Sequence, residues 1–141
     1  MDKTKRRPVI VGNWKMNTTV EQGRDLLLDI LPLVQQAADC DVALCLPYLH
    51  LPMAVELASG SRLKIGAQNV HWEEKGAFTG EISPKMLASL GVEYVLVGHS
   101  ERRQYFGETD ETVNRRTAAA LAAGLKVILC VGESEAQRTQ G

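Results

Sequence analysis

The chain has 141 residues, of which 45% are hydrophobic and 23% are charged, and its formal net charge is −1. These values are typical of one globular domain, here residues 1–141, and a chain of this length can bury a core without disulfides. A charge balance this close to neutral excludes a strong electrostatic attraction to nucleic acid or to an acidic membrane.

The beginning of the chain and its cysteines indicate where the protein works. The basic cluster at residues 3–7 is short, so we interpret it as a solvated leader ahead of the first strand rather than a nucleic-acid arm. The apolar run at residues 8–11 is too short for a signal peptide or a membrane span. Cys40, Cys45 and Cys130 are odd in number and form no Cys-x-x-Cys motif. We therefore expect a reduced, cytoplasmic protein with neither nucleic acid nor membrane as a partner.

Five short runs rich in aliphatic and β-branched residues predict strands, at residues 8–13, 41–46, 63–68, 93–97 and 126–131. These runs are mostly continuous rather than alternating, which is typical of strands buried on both faces of a parallel sheet.

The segments between these runs carry residues that begin and end helices. We predict helices from a capping box at Thr18 and Glu21, from Pro52 to before Gly60, from Ser83-Pro84 to Gly91, from Thr109 to Gly124, and from Ser134 onward.

Alternating strands and helices imply an α/β fold with parallel strands and right-handed crossovers. Two architectures fit: an open doubly wound sheet of five strands, or part of an eight-stranded barrel. The first strand is followed by residues 12–17, GNWKMN, which lack the G-x-G-x-x-G pattern of a dinucleotide-binding sheet. There is also no P-loop, no His/Cys metal spacing and no G-x-S-x-G motif.

Ligands of α/β proteins bind beyond the carboxyl ends of the strands, so the residues that follow each strand are candidates for a site. Asn13 and Lys15 follow the first strand. The Lys15 ammonium can neutralise a phosphate or a developing oxyanion, although an exposed surface lysine fits the spacing equally well.

His99 follows the fourth strand, at the beginning of a predicted helical turn. The positive end of a helix dipole disfavours imidazolium, so a neutral ring could donate a hydrogen bond to a carbonyl oxygen. From the residues alone, a structural histidine is the favoured interpretation. Glu101 is either an orienting carboxylate or half of an ion pair, and Glu133 is a candidate loop anchor. We expect His50 and His71 to be surface or packing residues.

Five motifs resemble those of the triosephosphate isomerase family, in that family's order and spacing. They are GNWKMN at residues 12–17, GAFTGEIS at 76–83, GHSERR at 98–103, FGE at 106–108 and CVGE at 130–133. The resemblance runs from about Pro8 to the last residue. It implies a (β/α)8 barrel, of which about five strands are visible here.

The resemblance also implies an aldose-ketose isomerase, an intramolecular oxidoreductase that interconverts dihydroxyacetone phosphate and D-glyceraldehyde 3-phosphate through an enediolate, without metal or organic cofactor. Such an enzyme serves glycolysis and gluconeogenesis. Asn13 and Lys15 would then bind the substrate. His99 would polarise its carbonyl, and a neutral histidine at a helix N-terminus is an established feature of this family rather than a finding of ours.

The resemblance further implies that Glu101, the family's acidic residue near the lysine, is catalytic. The other implied roles are supporting ones: Ser100 supports the site beside His99, and Cys130 matches a buried structural position.

The loop at residues 69–81 resembles the family's interface loop, which inserts into a second subunit. In a homodimer Thr79 would lie near the partner's site, and Glu81 would meet an arginine of the partner subunit that corresponds to Arg102.

The sequence departs from the family in its extent. A barrel of this type needs about 250 residues. The family's general base, a glutamate after the sixth strand, and its phosphate loops have no matching motif in these 141 residues. We therefore expect the isolated chain to be inactive or nearly so, because proton abstraction beside a carbonyl needs a positioned base.

Two alternatives to an isomerase fragment remain open. One is a catalytically silent half-barrel, with open edges at strands 1 and 5, that self-associates or is complemented by a C-terminal half. The other is a different phosphosugar enzyme on the same barrel.

Overall fold

The structure is a computed structural model that describes residues 6–133 and 135–140. Most of the basic cluster and Ser134, the expected beginning of the last helix, lie outside the described residues. Among those residues no helix is long and apolar enough to cross a membrane.

Five strands form one parallel sheet in the order β1-β2-β3-β4-β5, so each strand pairs with its neighbour in sequence. The strands are β1 (Val9–Asn13), β2 (Asp41–Leu46), β3 (Leu63–Ala67), β4 (Tyr94–Val97) and β5 (Lys126–Leu129). All five match the predicted runs, which extend one or two residues too far at four of them. The sheet curls into a half-barrel with helices between its strands, which decides between the two architectures left open by the sequence.

Six helices connect or follow the strands: α1 (Val20–Val34), α2 (Leu51–Ala58), α3 (Pro84–Leu90), α4 (Ser100–Tyr105), α5 (Asp110–Ala122) and α6 (Glu135–Gln140). The caps at Ser83 and Thr109 form as predicted, since each side chain accepts a hydrogen bond from a backbone N–H in the first turn of its helix. Gly91 ends α3 with a φ of 95°, a left-handed conformation that glycine adopts at little cost.

The predicted beginning of α1 is wrong by one residue. The capping box forms between Thr19 and Gln22, not between Thr18 and Glu21. Both pairs satisfy the sequence pattern, because two threonines are followed by two long polar residues at the same spacing. Thr18 instead takes a φ of 68° in the turn before the helix. The second helix also begins one residue earlier than predicted, at Leu51, after a short 3-10 turn at Tyr48–His50.

The core lies between the helices and the three central strands. Its largest fully buried apolar side chains are Leu27, Leu46, Leu51, Leu87, Val70, Val95, Val97 and Cys45. The edge strands are less covered: Ile10 in β1 is 58% exposed, and Leu129 in β5 is 47% exposed. The prediction that β1 and β5 are edges with uncovered apolar faces is therefore confirmed for the described sheet.

Candidate functional site

The candidate residues lie at the carboxyl ends of β1 and β4. Asn13 is the last residue of β1, and Lys15 follows it by two positions. His99 follows β4 and is the N-cap of α4. In parallel α/β folds, the carboxyl ends of all strands meet at one end of the sheet, so these side chains project from the same end.

One carboxylate links the lysine and the histidine. Lys15 Nζ lies 2.6 Å from Glu101 Oε1, and His99 Nδ1 lies 3.6 Å from Glu101 Oε2. Strands β1 and β4 are three positions apart in the sheet, about 14 Å if the sheet were flat. The curl of the sheet and the length of the lysine side chain together bring the two functional groups to opposite oxygens of Glu101.

The tautomer of His99 follows from its hydrogen bond. The backbone N–H of Glu101 donates to His99 Nδ1 over 3.2 Å, so that nitrogen accepts and carries no proton. The 3.6 Å approach of Glu101 Oε2 is too long for a hydrogen bond. With Nδ1 as an acceptor, the tautomer that fits carries its proton on Nε2, which is the donor that a carbonyl oxygen would meet.

The turn that carries Lys15 has an unusual backbone, since Lys15 has a φ of 53°. Asn13 Oδ1 accepts the Lys15 backbone N–H over 2.9 Å, which stabilises this left-handed conformation. Asn13 thus shapes the lysine turn in addition to lying at the site.

Gln68 is a site residue that our sequence reasoning missed. Its Nε2 lies 3.2 Å from Asn13 Oδ1, 2.9 Å from the Lys15 carbonyl oxygen and 3.1 Å from the Cys45 carbonyl oxygen. One side-chain amide thereby joins the ends of three neighbouring strands and holds the lysine turn. Its signal was available, because Gln68 is a polar residue directly after the buried strand β3.

The charge of Glu101 is set by its neighbours. The hydrogen bond from Lys15 holds the pKa of the Glu101 carboxyl below its ordinary value of 4.5. The Lys15 and Glu101 side chains are 52% and 42% exposed, whereas His99 is 22% exposed. The site is consequently open to solvent in this chain.

The supporting residues only partly match their expected roles. Ser100 is exposed as the first residue of α4. Cys130 is half-buried rather than buried, because it follows the edge strand β5, whose outer side has no neighbouring strand. Cys45 in β2 is fully buried, and burial raises the pKa of its thiol to about 12. Glu133 accepts a 3.0 Å hydrogen bond from Arg138 in α6, which agrees with a loop-anchoring role.

The long loop at residues 69–81 connects β3 to α3, and its two ends lie beside each other. Thr79 at its tip is exposed, and Glu81 lies 3.9 Å from the buried His71. Arg102 is paired within the chain, with its Nε 2.6 Å from Glu108 Oε1. His50 and His71 are both buried, so neither is a surface residue.

A buried charged cluster, formed by Glu108, Arg102 and Arg116, anchors this loop and was also missed from sequence. The Glu108 side chain is 2% exposed and lies 3.4 Å from Arg116 Nε. Arg116 donates to Asn69 Oδ1 over 3.1 Å and to the Val70 carbonyl oxygen. The cluster therefore connects the base of the loop to α4 and α5, next to His99. Glu108 belongs to the motif FGE at residues 106–108, but nothing local in the sequence shows that its carboxylate is buried.

In the part of the chain that the structure describes, the candidate site does not lie in a depression of the protein surface. One depression of about 200 Å³ lies at the opposite end of the sheet, lined by residues that include Ser59, Lys64 and Glu93. The convergence of Lys15 and His99 marks the candidate site better than a cavity does, because an open half-barrel leaves the strand ends as an exposed surface.

Comparison with known proteins shows which family the chain resembles. The family model described as triosephosphate isomerase matches residues 8–141. The triosephosphate isomerases of Acetivibrio thermocellus and of Synechococcus sp. strain JA-3-3Ab are each 56% identical to the chain, which covers 54% and 55% of their lengths. Each alignment includes 96% of the chain.

A solved structure shows the same fold. The crystal structure of triosephosphate isomerase from Bartonella henselae superimposes with a TM-score of 0.89 at 36% identity, covering 96% of this chain and 56% of that one. The chain thus spans about half the length of the relatives that it matches. A family model that matches nearly every residue and relatives that share more than half of the aligned positions establish that this chain belongs to the triosephosphate isomerase family.

Proposed function

We propose that the chain supplies the electrophilic half of a triosephosphate isomerase, which interconverts dihydroxyacetone phosphate and D-glyceraldehyde 3-phosphate. The observation that supports this most strongly is the position of the Glu101 carboxylate, which pairs with Lys15 Nζ over 2.6 Å and lies 3.6 Å from His99 Nδ1. Two hydrogen-bond donors, the Lys15 ammonium and His99 Nε2–H, would then face one small substrate.

Each group has a physical task in this reaction. Proton removal beside the carbonyl of the substrate builds negative charge on its oxygens. The Lys15 ammonium stabilises that charge, and His99 Nε2–H donates to the oxygen and can pass its proton between the two enediolate oxygens. Asn13 contributes an amide at the same strand end. The reaction moves protons only, so we expect it to need no redox cofactor or metal.

The proton must leave to a general base. In this family the base is a glutamate that follows the sixth strand, and the carboxylates of these 141 residues have no matching motif. We therefore expect the chain alone to be inactive or nearly so. Loss of a general base costs roughly 10²–10⁴-fold in rate.

A chimera tests the proposal. The chain would be joined to the remainder of the Acetivibrio thermocellus relative, of which it covers 54%, and assayed for isomerisation with a coupled dehydrogenase. We expect turnover from the chimera, little or none from the chain alone, and a large loss in the chimera on Lys15→Met. The matched control is Lys85→Met, which removes an exposed lysine on α3. Equal activity of both lysine variants would refute the role of Lys15.

A second candidate function is a silent half-barrel that assembles with another chain. It is favoured by the uncovered apolar side chains of β1 and β5, since open edges promote pairing. Light-scattering chromatography of the purified chain tests it, and a well-behaved monomer would contradict it.

The homodimer also remains a proposal. In it the loop around Thr79 would insert into a second copy, and Glu81 would meet the arginine there that corresponds to Arg102. From the proposed reaction and the free cysteines, we propose that the protein acts in glycolysis and gluconeogenesis in the cytoplasm.

A further inference from the structure

A buried histidine touches the turn that carries the lysine. His50 ends the short 3-10 turn before α2, and only 2% of it is exposed. Its Nε2 lies 3.1 Å from Thr18 Oγ1 and 3.1 Å from the Thr19 carbonyl oxygen. Both partners belong to the segment between β1 and α1, in which Lys15 also lies.

The two contacts define which ring nitrogen carries the proton. Thr18 directs its hydroxyl proton to the Asn17 carbonyl oxygen over 2.6 Å, so its oxygen can only accept from His50. The Thr19 carbonyl oxygen also accepts and cannot donate. The proton must therefore lie on Nε2, shared between the two oxygens. Nδ1 is buried and has no hydrogen-bond partner among the described residues.

The surrounding chain is shaped to admit this ring. A Cβ atom at Gly23 of α1 would lie 2.4 Å from His50 Cδ2, so only glycine leaves room for the imidazole. Trp14 packs edge-on against the ring, with centroids 5.9 Å apart and an interplanar angle of 81°. The ring is thus clamped between the segment before α1 and α1 itself.

The segment that His50 contacts is strained. Lys15 and Thr18 are the two non-glycine residues with positive φ in the described part of the chain, at 53° and 68°. Such conformations cost free energy, and a β-branched residue such as Thr18 tolerates them poorly. They persist only where surrounding contacts hold them. Asn13 and Gln68 hold the segment near Lys15, and His50 holds its other end.

We propose that His50 is a positioning residue, which anchors Thr18 and Thr19 and so keeps the Lys15 ammonium directed at Glu101. The inference rests on the proposed function for its catalytic meaning, but the geometry that it predicts can be measured without any turnover. His50 does not touch the site itself. It acts through the backbone of the turn.

The test compares two substitutions of His50 in the 141-residue chain. His50→Phe keeps a ring of similar size but removes the donor, whereas His50→Gln places an amide N–H near the position of Nε2. Hydrogen exchange of the Thr19 amide, which donates to Gln22 Oε1 over 3.0 Å, reports on the turn. We expect about tenfold faster exchange in His50→Phe, which is the loss of roughly one hydrogen bond, and recovery in His50→Gln.

The second readout lies at the site. Because Lys15 lowers the pKa of Glu101, a loosened turn should raise the pKa of that carboxyl towards 4.5 in His50→Phe, as measured by carbon-detected titration. The amides of α3 serve as an internal reference for global stability. Gly23→Ala provides an independent variant: alanine favours a helix over glycine, yet it should displace the ring and accelerate exchange in the same turn.

Three results would overturn the proposal. One is a protonated Nδ1 in the nitrogen spectrum of the imidazole. Another is unchanged Thr19 exchange and an unchanged Glu101 pKa in His50→Phe and in Gly23→Ala. The third is an acceleration in α3 as large as that in the turn, which would reduce His50 to a packing residue. If Lys15 were not catalytic, these readouts would stay as expected while the chimera carrying Lys15→Met kept its activity.

Discussion

Removing the charge of Glu108 should destabilise the fold far more than removing that of a neighbouring glutamate. Glu108 is the only carboxylate paired with Arg116 in the described part of the chain, and their side chains are 2% and 7% exposed. Glu108→Gln therefore leaves a buried guanidinium without a counter-charge, which typically costs about 3–5 kcal/mol. The free energy of unfolding of a native domain is about 5–15 kcal/mol, so the variant should be close to unfolding.

Urea unfolding, followed by tryptophan fluorescence, measures the effect. A loss of about 4 kcal/mol, with a slope of about 2 kcal/mol per molar urea, lowers the midpoint by about 2 M. The matched control is Glu111→Gln, which removes the same charge from an exposed pair with Arg115, where the side chains are 73% and 55% exposed. Exposed ion pairs contribute about 0–1 kcal/mol to the free energy of unfolding, so the urea midpoint of the control variant should barely shift. Equal midpoints for the two variants would refute the reasoning.

Three further results are expected. Lys15→Met should raise the pKa of Glu101 towards 4.5, and an unchanged Glu101 titration would exclude the ion pair. A carboxyl whose pKa is lowered in the folded state stabilises the fold above its unfolded pKa. This contribution is therefore present at neutral pH and disappears as the pH falls through the folded pKa. Alkylation at pH 8, measured by peptide mass spectrometry, should modify Cys40 well before Cys45. The Cys45 thiol, with a pKa of about 12, has only about 10⁻⁴ of its population as thiolate at that pH. Comparable alkylation rates for the two cysteines would contradict the burial of Cys45. Ile10→Lys on the exposed edge of β1 should reduce self-association in light-scattering chromatography, and a larger assembly would count against edge pairing.

Local signals explain why most of the fold could be predicted. Continuous aliphatic runs identified all five strands, and the expected burial on both faces holds for β2, β3 and β4 but is wrong for the edge strands β1 and β5. Ser83 and Thr109 marked helix beginnings, since a cap acts within one turn of its own position. The same locality explains the error at α1, where Thr18 and Thr19 satisfy one pattern and only the surrounding structure selects between them.

The candidate site rested on two kinds of signal. The ends of the predicted strands indicated Asn13, Lys15 and His99 as candidates, and the roles assigned to them came from the family resemblance and stay predictions. Gln68 lies at the same end of the sheet, but its contacts with Asn13 and Lys15 join residues 53 to 55 positions apart, so only the tertiary structure shows them.

The sequence by itself determined the alternation of strands and helices, their parallel arrangement and the family, because these depend on residues a few positions apart or on motifs in order. Only the tertiary structure decided which distant groups meet. Lys15 and Glu101 are 86 positions apart and touch because the sheet curls. The burial of Glu108 and the contact of His50 with Thr18 depend on how helices pack on that sheet, and the half-burial of Cys130 depends on β5 being an edge. Such contacts are properties of the assembled layers, so no short stretch of sequence contains them.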